Sequence, residues 1–283
     1  MRHPVLAPIC VALAMTVAAC QKPGDTDVDR AVQDVLASDE SSLTGIMMTV
    51  ADPDEAIRYF RRLLEEDPDK ISARRGLAQS LIRAQRPAEA ATAWAAVLRH
   101  PDAGNEDRVN YADALIRIGE WDKAEAELDR IPPTFETYRR YRLEAMVADG
   151  NGEWAKADSF YETAAGLTTK PAGVFNNWGY SKLTRGDFKG AERLFVNALT
   201  YDPGLFTAKN NLVLARGAQR KYELPVVRMT QTERAQLYHT LALTAIKQGD
   251  VAIGKGLLEQ AIETHPQHFE AAVQARRALE AQG

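Results

Sequence analysis

Small residues recur along this chain at Ala56, Ala90, Ala124, Ala157 and Ala191, with gaps of 34, 34, 33 and 34 residues. That period is too long for one helix and too short for a domain. It suits a supersecondary unit that cannot bury its apolar face alone and gains a core by stacking on copies of itself. The chain has 283 residues, 45 of them alanine and only 21 Phe, Trp or Tyr, a balance that favours helices over strands. The expected fold is therefore all-α, a superhelix (α-solenoid) of stacked helical hairpins. A net charge of −4 without a basic pole argues against nucleic acid as the main partner.

The unit from Ala172 to Leu205 shows the pattern most fully, with Trp178-Gly179, Gly186-Asp187, Ala191, Phe195, Ala198 and Pro203. Gly179 and Ala191 let two helices approach, Gly186 permits the left-handed turn between them, Phe195 fills the core and Pro203 closes the second helix. This set resembles the tetratricopeptide repeat. Further units run from residues 37, 71, 105, 138 and 235; Phe60, Trp94 and Tyr161 stand at the place of Phe195, Gly119 at that of Gly186 and Ala261 at that of Ala198. The first helix of the unit at 37–70, around Ile46 to Val50, fits poorly, and Pro132-Pro133 shorten the second helix of the unit at 105. Residues 267–282 read as an amphipathic cap helix.

The pattern breaks at Tyr222-Glu223-Leu224-Pro225-Val226-Val227-Arg228-Met229, which lacks helical periodicity and is expected to be extended. Segment 222–229 is either a long connection or a surface for a partner. Thr230 then heads a capping box with Glu233.

At the N-terminus, Arg2 precedes an apolar run from Val5 to Ala19 that ends Val17-Ala18-Ala19-Cys20. The run is too short to span a bilayer and has the length of a signal-peptide core. It resembles a bacterial lipoprotein signal. That resemblance implies a signal peptide at 1–19, lipidation of Cys20 by diacylglycerol and palmitate-type acyl groups, a tether over 20–36 and a solenoid over 37–283. The alternatives are a buried N-terminal helix of a cytoplasmic protein, or an ordinary secretory signal with a coincidental cysteine. Gln21 follows the cysteine where an aspartate would favour inner-membrane retention, so the resemblance implies the periplasmic face of the outer membrane in a Gram-negative cell. Removing the signal takes Arg2 and Cys10 with it, leaving a mature charge of 34 − 39 = −5.

Catalytic patterns are lacking. Gly249 to Gly256 reads Gly-Asp-Val-Ala-Ile-Gly-Lys-Gly, one residue short of a phosphate-binding loop, with neither a hydroxyl residue after Lys255 nor a preceding strand. His100, His239, His265 and His268 show no zinc spacing, and no Gly-x-Ser-x-Gly elbow occurs. The expectation is a chain without catalytic residues, metal or cofactor. Tyr138-Arg139-Arg140-Tyr141-Arg142 is the one basic and aromatic cluster; it would either stack bases or contribute a core tyrosine and surface or groove arginines.

First helices of such hairpins line a concave face that binds extended peptides or helices. Asn110, Asn177 and Asn211 share one place in three units, flanked on that face by Asn176, Tyr180, Asn210 and Leu214. An amide offers both donor and acceptor to a peptide backbone, or to a neighbouring helix. The later half, about 172–275, runs from Phe175-Asn176-Asn177-Trp178-Gly179 through Leu224-Pro225-Val226-Val227 to His265-Pro266-Gln267-His268-Phe269. In these residues it resembles the TadD-family lipoproteins of tight-adherence (Tad/Flp) pilus systems. That likeness implies a pilotin-like, non-enzymatic adaptor for an outer-membrane secretin or another pilus component, anchored to the membrane and with no nucleic-acid partner. The alternative is a general envelope adaptor for outer-membrane protein insertion or cell-wall synthesis; an enzyme with a site between repeats is the third class.

Overall fold

The computed structural model describes residues 42–281. The signal peptide read at 1–19, Cys20 and the tether to residue 36 lie outside them. Among the described residues there are fourteen helices and no strand. They are α1 (42–49), α2 (Pro53–Glu66), α3 (Ile71–Arg83), α4 (Pro87–Val97), α5 (Asn105–Arg117), α6 (Trp121–Leu128) and α7 (Tyr138–Gly150). The second half holds α8 (Trp154–Gly166), α9 (Ala172–Thr184), α10 (Phe188–Tyr201), α11 (Phe206–Gly217), α12 (Gln231–Lys247), α13 (Val251–Thr264) and α14 (Glu270–Glu280).

From α2 onward each helix packs on its chain neighbours, and the first helices also touch one another across units, as in α5 with α7, α7 with α9 and α9 with α11. This is the neighbour-only packing of a solenoid, with first helices on the inner face. Ala56, Ala90, Ala124, Ala157 and Ala191 are all fully buried in second helices. Gly179 shows why these contacts need small residues: a Cβ built there would stand 2.7 Å from the Phe195 ring. Helix α1 does form, although it leaves Leu43 and Ile46 exposed, as is Val50 in the turn after it. α6 stops at Leu128, ahead of the two prolines.

Turns between paired helices pass through the left-handed region, with φ of +84° at Gly186. Two non-glycine residues occupy the same place: Gln85 at +57° and Arg220 at +58°. Arg220 lies 34 residues after Gly186, so the turn of the sixth hairpin is made, yet no second helix follows it. The reason is Pro225, which stands where Ala191 stands one unit earlier. Ala191 N–H donates to Asp187 O at 2.9 Å, a bond that proline cannot make. The segment expected to be extended contains no strand. Its Tyr222, Leu224 and Met229 pack on the core formed by α12 and α13, Val227 packs on the core before it, and Val226 is wholly exposed. Thr230 closes the break as a capping box. Its hydroxyl accepts from Glu233 N–H at 3.1 Å, and the Glu233 carboxylate accepts from Thr230 N–H at 2.7 Å.

Candidate functional site

Two hollows lie along the inner face and share α9 and α11. The first, of about 440 Å³, is lined by α7, α9 and α11 with Trp121, Trp154 and Tyr161 at its sides. It gathers Asn176, Asn177, Tyr180 and Asn211 into one place. The second, of about 710 Å³, lies between the C-terminal ends of α9 and α11, the start of α10 and the second half of α12, and Leu214, Thr240 and Leu243 line it. The proposed groove residues are therefore divided between the two hollows, and two of them line neither.

The asparagines play unequal parts. Asn110 is buried on α5, and its carbonyl accepts from Arg139 at 2.7 Å. Asn210 accepts from the Thr240 hydroxyl at 2.8 Å, tying α11 to α12. Asn211 is 7% exposed and donates to Asn176 Oδ1 at 3.1 Å, so these two amides hold each other across neighbouring units. Among the described residues Asn177 has only the Met146 sulfur, 3.5 Å from its Nδ2, which leaves most of its hydrogen-bonding capacity unused. Tyr180 is more than half exposed. Asn211→Ala is accordingly expected to cost about 1 kcal/mol of stability by leaving the Asn176 carbonyl without its donor. Asn177→Ala should leave stability within about 0.5 kcal/mol. Urea unfolding of the two single variants separates packing amide from free amide; equal losses would contradict the assignment.

Sequence reasoning missed the acidic floor of the first hollow. Asp149 Oδ1 accepts from Ser181 Oγ at 2.6 Å and its Oδ2 from Tyr161 Oη at 2.9 Å. Burial raises both the Asp149 carboxyl and the Tyr161 hydroxyl above their ordinary values. Next to it, Asp158 on α8 accepts from Trp178 Nε1 at 2.6 Å, Lys182 Nζ at 2.8 Å and the Arg185 guanidinium. Burial alone would raise the Asp158 carboxyl, but these donors outweigh it and hold it below the usual range.

The basic cluster on α7 is built into the fold. Arg140 is buried, bonding Glu144 at 2.7 Å and the carbonyls of Pro132 at 2.8 Å and Phe135 at 3.2 Å, so it holds the loop that the two prolines open. That corrects the expectation of surface or groove arginines at this position. Tyr141 sits against Phe160. The residues resembling a phosphate loop form the turn before α13 and its first turns, where a Cβ on Gly254 would stand 2.5 Å from Ile246. His268 pairs with Glu270 and His265 with Gln267, and among the described residues no three potential metal ligands converge.

The family model for the tetratricopeptide repeat matches residues 50–103. Paired helices of the same kind recur on both sides of the interruption at 222–229. The chain folds as a tetratricopeptide-repeat solenoid. It is similar at 14% identity to a chain of the APC/C hetero-tetramer Cut9-Hcn1, with a TM-score of 0.60, covering 83% of this chain and 48% of that one. This chain thus spans about half the length of that structure. A tetratricopeptide repeat protein from Parabacteroides merdae is 12% identical with a TM-score of 0.57, covering 84% of this chain and 96% of that one. Human IFIT1, solved as a dimer with m7Gppp-AAAA, is 15% identical with a TM-score of 0.57, covering 81% and 59%. No curated protein sequence matches the chain. Tetratricopeptide-repeat folds suit protein–protein interaction.

Proposed function

We propose that this chain is a non-enzymatic, lipid-anchored adaptor of Tad/Flp pilus assembly. It acts like a pilotin, holding a segment of the outer-membrane secretin or of another pilus component in its inner groove, at the periplasmic face of the outer membrane. The observation that carries the reading is the pair of adjoining hollows on α9 and α11, where Asn177 and Tyr180 present free polar and aromatic groups to an extended chain. Support for the anchor comes from Val17-Ala18-Ala19-Cys20, and support for the pilus system from the residues of the later half. Two or more acyl chains give a stable anchor, since each buried methylene contributes about 0.8 kcal/mol.

Cys20→Ser tests the reading. The substituted protein should leave the outer-membrane fraction, and secretin multimers should fall sharply in cells that carry only that form. Unchanged fractionation together with normal multimers would overturn the anchored-pilotin mechanism.

A further inference from the structure

Half-buried carboxylates of this solenoid are, in most cases, met by a cation. Asp107 faces Arg75, Glu144 faces Arg140, Asp158 faces Lys182 and Arg185, Glu192 faces Arg216 and Lys221, and Glu233 faces Lys209. Asp149 is different: its two partners are neutral hydroxyls, and among the described residues it forms no ion pair. Those two bonds leave part of its acceptor capacity open. It is also the only charged residue among those lining the first hollow. Around it stand Trp121, Trp154 and Tyr180, the last two 42% and 54% exposed. Aromatic faces beside a carboxylate attract a cation by ring quadrupole and charge together. One guanidinium already uses this chemistry at the rim. Arg185 lies 5.5 Å from the Trp154 ring centroid and bonds Asp158 directly, while Asp149 feels its charge only from beyond ion-pair distance.

We propose that the hollow between α7, α9 and α11 receives a cationic side chain, lysine or arginine, from an extended partner segment, with Asp149 as its counter-charge and Trp121, Trp154 and Tyr180 as its walls. The inference rests on the adaptor reading and names the chemistry of what the groove holds. Charge complementarity commits it to a basic residue: a carboxylate in a small aromatic recess disfavours an acidic guest, and an apolar guest would leave that carboxylate without a counter-charge. Asn177 beside the hollow supplies the amide for the guest's backbone.

The full-length lipidated protein in detergent, titrated calorimetrically with acetylated and amidated alanine-serine hexapeptides, tests this. Peptides with a central lysine or arginine should bind about tenfold more tightly than the norleucine peptide, and the preference should shrink as salt is raised. Asp149→Asn, which keeps an acceptor for one of the two hydroxyls and offers an N–H to the other, should bring the cationic and norleucine peptides within about twofold of each other. Tyr180→Ala, a change at an exposed position, should weaken the cationic peptides about threefold with an unaltered melting curve. Equal binding of norleucine and lysine peptides to the unsubstituted protein, no binding of either, or an undiminished preference in Asp149→Asn would each overturn the cation site. The adaptor reading fails separately, if cross-linking in cells finds no protein on the inner face.

Discussion

Phe195→Ala is expected to lower the unfolding free energy by about 3–5 kcal/mol, as for other fully buried aromatic truncations. Phe195 has no exposed surface, its ring lies against Gly179 of its own hairpin, and it shares a core with Leu199, Ala208 and Leu212 of α10 and α11. The cavity would open between two units, where backbone collapse is resisted by Ala191 and Ala198 already in close contact. Urea unfolding reads the loss, and a value below about 1 kcal/mol would mean that the ring does not hold the units together. Because solenoid units couple only to neighbours, amide exchange should accelerate in α9 to α11 before it does in α3 to α6. Gly179→Ala should destabilise by about 1–3 kcal/mol through overpacking, and by less beside Phe195→Leu, whose shorter side chain frees the space.

Glu233→Gln carries the second large effect. The Lys209 ammonium, on a residue only 3% exposed, donates to Glu233 Oε1 at 2.9 Å and thereby joins α11 to α12 across the missing helix. Removing the negative charge leaves that buried ammonium with at most a neutral amide oxygen and no counter-charge, which costs up to about 3–5 kcal/mol in comparable pairs. Adding Lys209→Met should recover most of the loss, because an apolar side chain of similar length fills the site without a charge. A double variant as unstable as the single one would assign the loss to the capping box instead. The pair also has a pH signature. Burial would raise the Glu233 carboxyl, but the bonds from Lys209 and Thr230 outweigh it and hold the folded value below the ordinary one. A depressed folded value binds fewer protons than the unfolded chain, so its stabilisation is complete above the ordinary glutamate range and is lost as pH falls through the folded value. Acid titration of the unfolding free energy should lose that dependence in Glu233→Gln.

The acid limb has a counterpart. Glu144 and Asp149 are pushed up by burial, so each contributes a small loss of stability as pH rises through its folded value.

Much of this architecture was legible before any coordinates. The alanine register marked second-helix contacts that are fully buried, Gly186 marked a left-handed turn, and Thr230 with Glu233 marked a helix start. Each depends on chemistry within a few residues of chain: helical periodicity, a missing Cβ, or a hydroxyl three positions before a carboxylate. Pro225 belongs with them, since a missing N–H stops a helix wherever it falls. The site was less legible. The asparagine at one shared place proved to be three different things, bound to Arg139 at Asn110, nearly free at Asn177 and bound to Asn176 at Asn211.

What the sequence determined by itself was a stack of helical hairpins, the face each helix buries and the point where the stack is interrupted. Only the tertiary structure decided which side chains meet between units: Arg75 with Asp107, Lys209 with Glu233, and Asp149 with Ser181, 24 to 32 residues apart in the chain. Helical period fixes which side of a helix is buried. It does not fix the small rotation between successive units, and that rotation places Asp149, Trp154 and Tyr180 around one hollow.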